Sequence, residues 1–330
     1  SVQDGFNFQG DKNGSKWNPN VREIPRALKT GKLDLRPNSQ AVQITHDRNG
    51  KVDGVLYIDT KTKALHRQEA KVVCVAGNSI ETPRLFLMSA SSMFPNGLAN
   101  SSDQVGRNYM RHLTGSVYAR FDKPVNFYRG ETMAGFLADE VKNNPKRGFV
   151  GGYYLETLAL GPSFMGAFLE PGGWGKKFAD MMDGYRNLAG MWIVGEDMPQ
   201  ANNRITLGSA KDAFGLPAPN VHFDDHPNDT AMRNHAYKVG EKIYKSVGAK
   251  QTWRTTPYPH THNLGTMRMS AKKKDGVTNK WGRCHDIKNL FVSDGSVMTT
   301  GAACNPTLTI VALAIRQGEY LADQLKKGKI

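Results

Sequence analysis

The stretch KVVCVAGNSIETPRLFLMSAS, residues 71–91, decides the fold class. Lys71–Gly77 is a continuous apolar run closing on glycine, as expected of a buried strand in a parallel sheet. Within it Cys74 reads as a small buried apolar residue. Residues 79–91 then read as a helix opened by Ser79 or Thr82, with Pro83 in its first turn. A strand–glycine–helix unit of this kind belongs to an α/β architecture, here an α+β composite.

Working outward, residues 22–37 (REIPRALKTGKLDLRP) predict a short helix followed by a strand. Residues 41–70 alternate apolar and polar positions over several strands, with a turn at Arg48–Lys51. Residues 109–250 are richer in aromatics, Gly and Met and read as a separate domain of strands and long loops. Within that span, residues 203–224 predict a hairpin turning at Asp212 and Gly215. Residues 228–249 predict an amphipathic helix stopping near Gly248. Residues 288–296 (KNLFVSDGS) read as a strand ending in a turn. A last helix is expected from Asn305-Pro306, cap and first position, with Leu308, Val311, Ile315, Ala322 and Leu325 on its buried face.

The 330 residues suffice for a large core. The longest apolar run, LTIVALAI, falls well short of the ~18 residues that a membrane helix requires. Lys and Arg number 44 against 30 Asp and Glu, a formal charge of +14, but the basic residues are scattered. No nucleic-acid-binding signature accompanies them, so no nucleic acid is expected as a partner. Cys74, Cys284 and Cys304 fit neither a disulfide framework nor a metal site.

Chemistry concentrates near the end. In HTHNLGTMRM, residues 260–269, two imidazoles sit two positions apart. The sequence offers no third or fourth ligand beside them, so no metal is expected. A general base or a packed pair of rings remain open. Asp294 lies where a strand ends, the place where α/β sheets bind ligands, or it is a turn aspartate bonding its own backbone. Residues 301–307 (GAACNPT) let the backbone approach a ligand and present a helix N-terminus to an anionic oxygen, or Asn305 is simply a cap.

Taken in order, His262 followed by NLGT, then NLFVSDGS, then NPTLTIVALA resembles the glucose–methanol–choline (GMC) oxidoreductase family, most of all its bacterial sugar, glucoside and gluconate dehydrogenases and pyranose oxidase. GNSIETPRLFLMSAS resembles the family's second signature, with Thr82 in place of Ser. VGRNYMRH (105–112) resembles the segment closing the first lobe, and residues 203–224 the hairpin of the substrate domain. The resemblance implies FAD as cofactor and an alcohol or carbohydrate as substrate. His262 becomes the catalytic base and Asn305 the second catalytic residue. Asp294, Gly295, Pro306 and Thr307 fall beside the flavin, and Val42 on the adenine side. Glu196 and Met198 are candidates for the substrate pocket and Trp174 for a substrate-facing loop, while His260 reads as an ordinary loop residue.

It further implies a partial FAD-binding lobe at 1–108, a substrate-binding domain with a largely antiparallel sheet at 109–255, and the C-terminal part of the FAD-binding lobe, with the catalytic residues, at 256–330. The family's Gly-x-Gly-x-x-Gly motif is not in the chain. The chain is therefore expected to be the C-terminal part of such an enzyme, completed by upstream sequence or a separate N-terminal chain, with an electron-transfer subunit as a further partner. Any targeting signal is expected upstream of Ser1. The alternative is a catalytically incompetent remnant with a structural or binding role.

Overall fold

The computed structural model describes residues 14–258 and 260–330. In chain order its elements begin with α1 (Glu23–Lys29), β1 (Ser39–His46), β2 (Val52–Asp59), β3 (Leu65–Glu69), β4 (Val73–Val75), α2 (Asn78–Met88), β5 (Leu113–Arg120), β6 (Phe136–Leu137) and β7 (Tyr153–Thr157). They continue with α3 (Pro162–Leu169), α4 (Gly175–Asp183), β8 (Leu188–Gly195), β9 (Arg204–Lys211), β10 (Pro217–His222), α5 (Pro227–Ser246), β11 (Gln251–Arg254), β12 (Leu290–Val292) and α6 (Thr307–Lys326). The described residues form two compact units. One draws on residues 14–36, 113–195 and 227–258, the other on Pro37–His112, Glu196–His226 and His260–Ile330. The strand expected after the helix within residues 22–37 does not form, and the first strand, β1, belongs to the alternating stretch that follows.

In the first unit an antiparallel sheet runs β11–β5–β8–β7–β6. The buried face of α5 carries Met232, Ala236, Tyr237, Gly240 and Tyr244, at helical spacing. That face meets Leu113, Val117, Tyr153 and Ile193 of the sheet in one core. Tyr118, Leu158, Leu160, Met165 and Leu188 form a second cluster. Residues 228–249 are thus the expected helix, and Gly248 ends it at φ +91°.

The second unit holds the strand–glycine–helix unit. β4 pairs in parallel with β12, Val73 opposite Leu290 and Val75 opposite Val292. Val73 and Val75 are buried with Phe86, Leu98 and Val292. Cys74, expected buried, is exposed. Strand residues alternate faces, and the second face of β4 is not covered among the described residues. β1–β2–β3 form an antiparallel sheet. A register shift between Ala41 and Gln43 makes Val42 the extra residue of a bulge. Residues 203–224 form the β9–β10 hairpin, with Asp212 accepting from Phe214 N and Leu216 N and Gly215 at φ +75°.

Two helix starts differ from expectation. α2 begins at Asn78 rather than at Ser79 or Thr82, and Pro83 lies inside it. Asn78 caps its own turn, accepting from Ile80 N and Glu81 N. Pro83 has no N–H for the Ser79 carbonyl one turn back. The Thr266 hydroxyl donates to that carbonyl instead, at 2.8 Å. α6 begins at Thr307, its cap is Pro306 rather than Asn305, and no side chain caps it. Its expected buried face is also wrong, since Leu308 is 82% and Ile315 60% exposed. The inward residues are Leu313, packed on the core, and Gln317, which donates to the carbonyls of Val292 (2.8 Å) and Trp281 (3.0 Å). Both faces of the helix are apolar, so periodicity alone misassigns them, and the buried amide of Gln317 fixes the rotation. No described helix is long and apolar enough to cross a membrane.

Candidate active site

The site is built where the segment after His260 crosses the segment before Leu113, both in the second unit. Met110 and Leu264 pair as an isolated antiparallel bridge, 3.0 Å and 2.8 Å in the two directions. Tyr109 adds a hydrogen bond from its hydroxyl to the Asn263 side chain at 2.5 Å. Gly265 has φ +94°, and a Cβ there would lie 2.2 Å from the Asn108 carbonyl oxygen. Only glycine allows this crossing. The start of α2 grips the same segment, since Ser79 donates to the Asn263 carbonyl at 2.7 Å and receives Thr266 on its own carbonyl. His-x-x-Gly-Thr is thus a wedge held on both sides.

That crossing brings three imidazoles together. His112 Nδ1 lies 3.0 Å from His262 Nδ1, and His112 Nε2 lies 2.7 Å from the Gly301 carbonyl oxygen. His260 Nδ1 accepts the His262 backbone N–H at 3.2 Å, with the two rings 3.8 Å apart. His260 is buried, so it is not the ordinary loop residue expected. Burial is the largest cause holding all three rings below the usual imidazole pKa, with the neighbouring rings adding to it at two of them: His262 is pushed down to about 3, His260 to about 2 and His112 in the same direction. The cluster is neutral at pH 7.

His112 is the residue that sequence reasoning missed. Its only signal was the terminal position in VGRNYMRH, 150 residues from His262. It also supplies the third imidazole that the metal reading lacked, since ligand atoms of His112, His260 and His262 lie within 4.8 Å of one another. Yet both His112 nitrogens already hold partners, a carbonyl and a ring, so the arrangement is a hydrogen-bonded chain and not a set of lone pairs converging on one point.

The 301–305 segment starts at this cluster. A Cβ on Gly301 would lie 2.8 Å from His112 Cδ2 and 3.1 Å from Asp197 Oδ1, so glycine is required for its carbonyl to reach the ring. Ala302 follows at φ +55°, and its N–H is received by Glu196. Burial raises the Glu196 carboxyl pKa above the usual range, while that N–H lowers it. Asp197 accepts from Arg111 N at 2.7 Å. Glu196 and its neighbour thus hold both segments of the cluster in place. Asn305 follows, exposed, just before α6.

The other expected contacts separate into two kinds. Asp294 Oδ2 accepts from the Thr82 hydroxyl at 2.6 Å and Asn78 N at 3.1 Å, and Oδ1 accepts from Ser296 N and Oγ. Both oxygens are taken up, one in joining the end of β12 to the start of α2 and the other in closing the turn at Ser296. Any ligand contact here therefore falls to the backbone at Asp294-Gly295. The N-termini of α2 and α6 contrast in the same way. The first turn of α2 is satisfied by Asn78, Thr82 and Asp294, whereas Thr307–Thr309 are exposed and carry no side-chain cap. The open end of α6 suits an anionic or electron-rich group. Val42 lies in the β1 bulge, away from any of these residues in the sequence. Trp174 is 87% exposed and belongs to the first unit, before α4.

Two models of the GMC oxidoreductase family match the chain, one over residues 1–114 and the other over 199–314. A 2-methyl-1,2-propanediol dehydrogenase of Mycolicibacterium austroafricanum is 38% identical over 96% of the chain and 59% of its own length. The fructose dehydrogenase large subunit of Gluconobacter japonicus is 30% identical, over 92% and 56% respectively. The gluconate 2-dehydrogenase flavoprotein of Pantoea cypripedii is 27% identical, over 95% and 54%. The chain thus spans between half and three-fifths of these relatives. Among solved structures, Aspergillus oryzae formate oxidase superposes with a TM-score of 0.66 at 16% identity, covering 93% of this chain and 63% of that one, which shows the shared fold.

Proposed function

The chain belongs to the GMC oxidoreductase family, and on that premise we propose that it carries the catalytic end of an enzyme oxidising an alcohol or sugar hydroxyl with FAD. FAD supplies the hydride acceptor for the substrate carbon. His262 takes the hydroxyl proton as general base, a role worth ~10²–10⁴-fold in rate. A base must be unprotonated before it acts, and burial keeps this ring neutral across the physiological range. Asn305 holds the substrate oxygen by its side-chain amide. The exposed first turn of α6, at Pro306 and Thr307, would help hold the cofactor and would supply a positive dipole end for an electron-rich edge of it. Asp294 and Gly295 line the cofactor through their backbone.

The observation that carries this reading is the buried chain of neutral imidazoles at the His-x-x-Gly-Thr segment. The names of the relatives support a diol or sugar as substrate, and one of them is named a large subunit, which supports a further subunit as a partner here. The test is to add FAD to the purified protein and follow its visible spectrum under a panel of diols and sugars. FAD uptake and bleaching by one of them, slowed by about 10²-fold or more in His262→Ala with FAD retained, is the expected result. Bleaching at an unchanged rate in the variant would remove His262 as the base. A protein that takes up no FAD would show that this chain is not competent alone.

A further inference from the structure

The hydrogen-bond directions in the imidazole cluster can be solved from one end. The Gly301 carbonyl oxygen is only an acceptor, so the 2.7 Å contact requires that His112 Nε2 carry the hydrogen. In a neutral ring His112 Nδ1 is then a lone pair. The 3.0 Å contact to His262 Nδ1 requires a donor on the other side, so His262 carries its hydrogen on Nδ1. The free lone pair of His262 is left at Nε2. His260 is fixed independently: its Nδ1 accepts a backbone N–H, which puts its ring hydrogen on Nε2.

We propose, resting on the reading of His262 as base, that His112 is a positioning residue that selects the reactive tautomer of His262. It makes Nε2 the proton-accepting atom and supports the imidazolium that forms. When Nε2 takes the hydroxyl proton, the Nδ1–H of His262 still donates to His112, whose own Nε2–H ends on the Gly301 carbonyl. The charged ring keeps its partner and no group must turn. This is the orienting role a carboxylate plays in a hydrolase triad, performed here by a neutral ring.

The backbone supports the assignment. His112 is 1% exposed and has φ +62°, a left-handed conformation that an L-residue with a Cβ adopts only when its surroundings hold it there. The Met110–Leu264 bridge and the Arg111 N–H donated to Asp197, at the two residues just before it, hold it there. Gly301, where a Cβ would strike the ring, completes the fit.

The experiment has two arms that separate this inference from the base assignment. In protein with ¹⁵N-labelled imidazoles and no added flavin, His262 is expected to show a protonated Nδ1 and a bare Nε2, and His112→Ala is expected to mix the two tautomers. His112→Asn tolerates the left-handed backbone and returns an acceptor oxygen near the lost Nδ1, so it should restore the single tautomer. In FAD-loaded protein, His112→Ala should lower kcat by roughly 10²-fold with KM little changed, less than the ~10⁴-fold of a triad locked in the wrong tautomer. His112→Asn should recover most of the loss. A bare Nδ1 on His262 in the parent protein, or a tautomer unchanged in His112→Ala, overturns the proposal whatever the kinetics show. A correct tautomer with a His262→Ala variant that turns over at the parent rate would instead overturn the base assignment.

Discussion

Asp294 and His262 are both expected from sequence to touch a bound molecule, and they are wired in opposite ways. The carboxylate accepts from Thr82, Asn78 and Ser296, and its oxygens are used inside the fold. The imidazole shares one nitrogen with His112 and keeps the other. The difference teaches how to separate a residue that builds a site from one that works in it: the number of acceptor or donor positions left after the fold's own bonds are counted. By that measure Asp294 joins β12 to α2, and His262 retains a reactive atom.

The largest effect that could break this contrast is kinetic. His262→Ala should lower turnover of the FAD-loaded protein by ~10²–10⁴-fold, far beyond any loss of unfolding free energy from the orphaned His112 Nδ1, while Asp294→Ala should act mainly on stability. Removing Asp294 leaves the Thr82 hydroxyl and Asn78 N–H without an acceptor, at about 1–3 kcal/mol. Urea unfolding and kcat measured on both variants decide it, and a large kinetic loss with intact stability in Asp294→Ala would erase the distinction.

Next in size is the bond that fixes the wedge. Thr266→Val keeps shape but leaves the buried Ser79 carbonyl without its donor, and should cost about 1–3 kcal/mol. In a Pro83→Ala background the helix regains an N–H for that carbonyl, so the same change should cost less. A cost independent of residue 83 would show that the two are not coupled.

A third effect follows from burial of the neutral rings. Their pKa values are lower in the folded chain than the ordinary 6.5, so between pH 6.5 and about 3 the unfolded chain binds more protons. Stability then rises with pH through that window and is flat above it. The unfolding midpoint should fall between pH 7 and pH 5, before most carboxylates titrate, and fall less in a His260→Gln, His262→Gln double variant. The smallest effect lies on α6, where Leu308→Ser and Ile315→Ser should each change the stability of this chain by less than about 0.5 kcal/mol, because both side chains are exposed.

Much of this arrangement was legible beforehand, for local reasons. The strands β4 and β12, the β9–β10 hairpin and α5 each follow from a pattern of a few consecutive residues, although the parallel pairing of β4 with β12 does not. What was not legible depends on partners distant in the chain. The burial of His260 and the role of His112 appear only once Met110 pairs with Leu264. The start of α2 shifts because Asn78 takes its own first turn, and Pro83 is tolerated because Thr266 serves the carbonyl it would orphan. The rotation of α6 is set by Gln317, a polar residue that an apolar stripe does not count.

The central claim is spatial, and one crystal structure tests it most directly: the FAD-loaded protein with a non-reactive alcohol analogue bound. The account predicts the analogue's hydroxyl oxygen at about 2.6–3.2 Å from His262 Nε2 and also in contact with the Asn305 amide. A hydroxyl held elsewhere, with His262 Nε2 bonded to protein and Asn305 turned away, would contradict it.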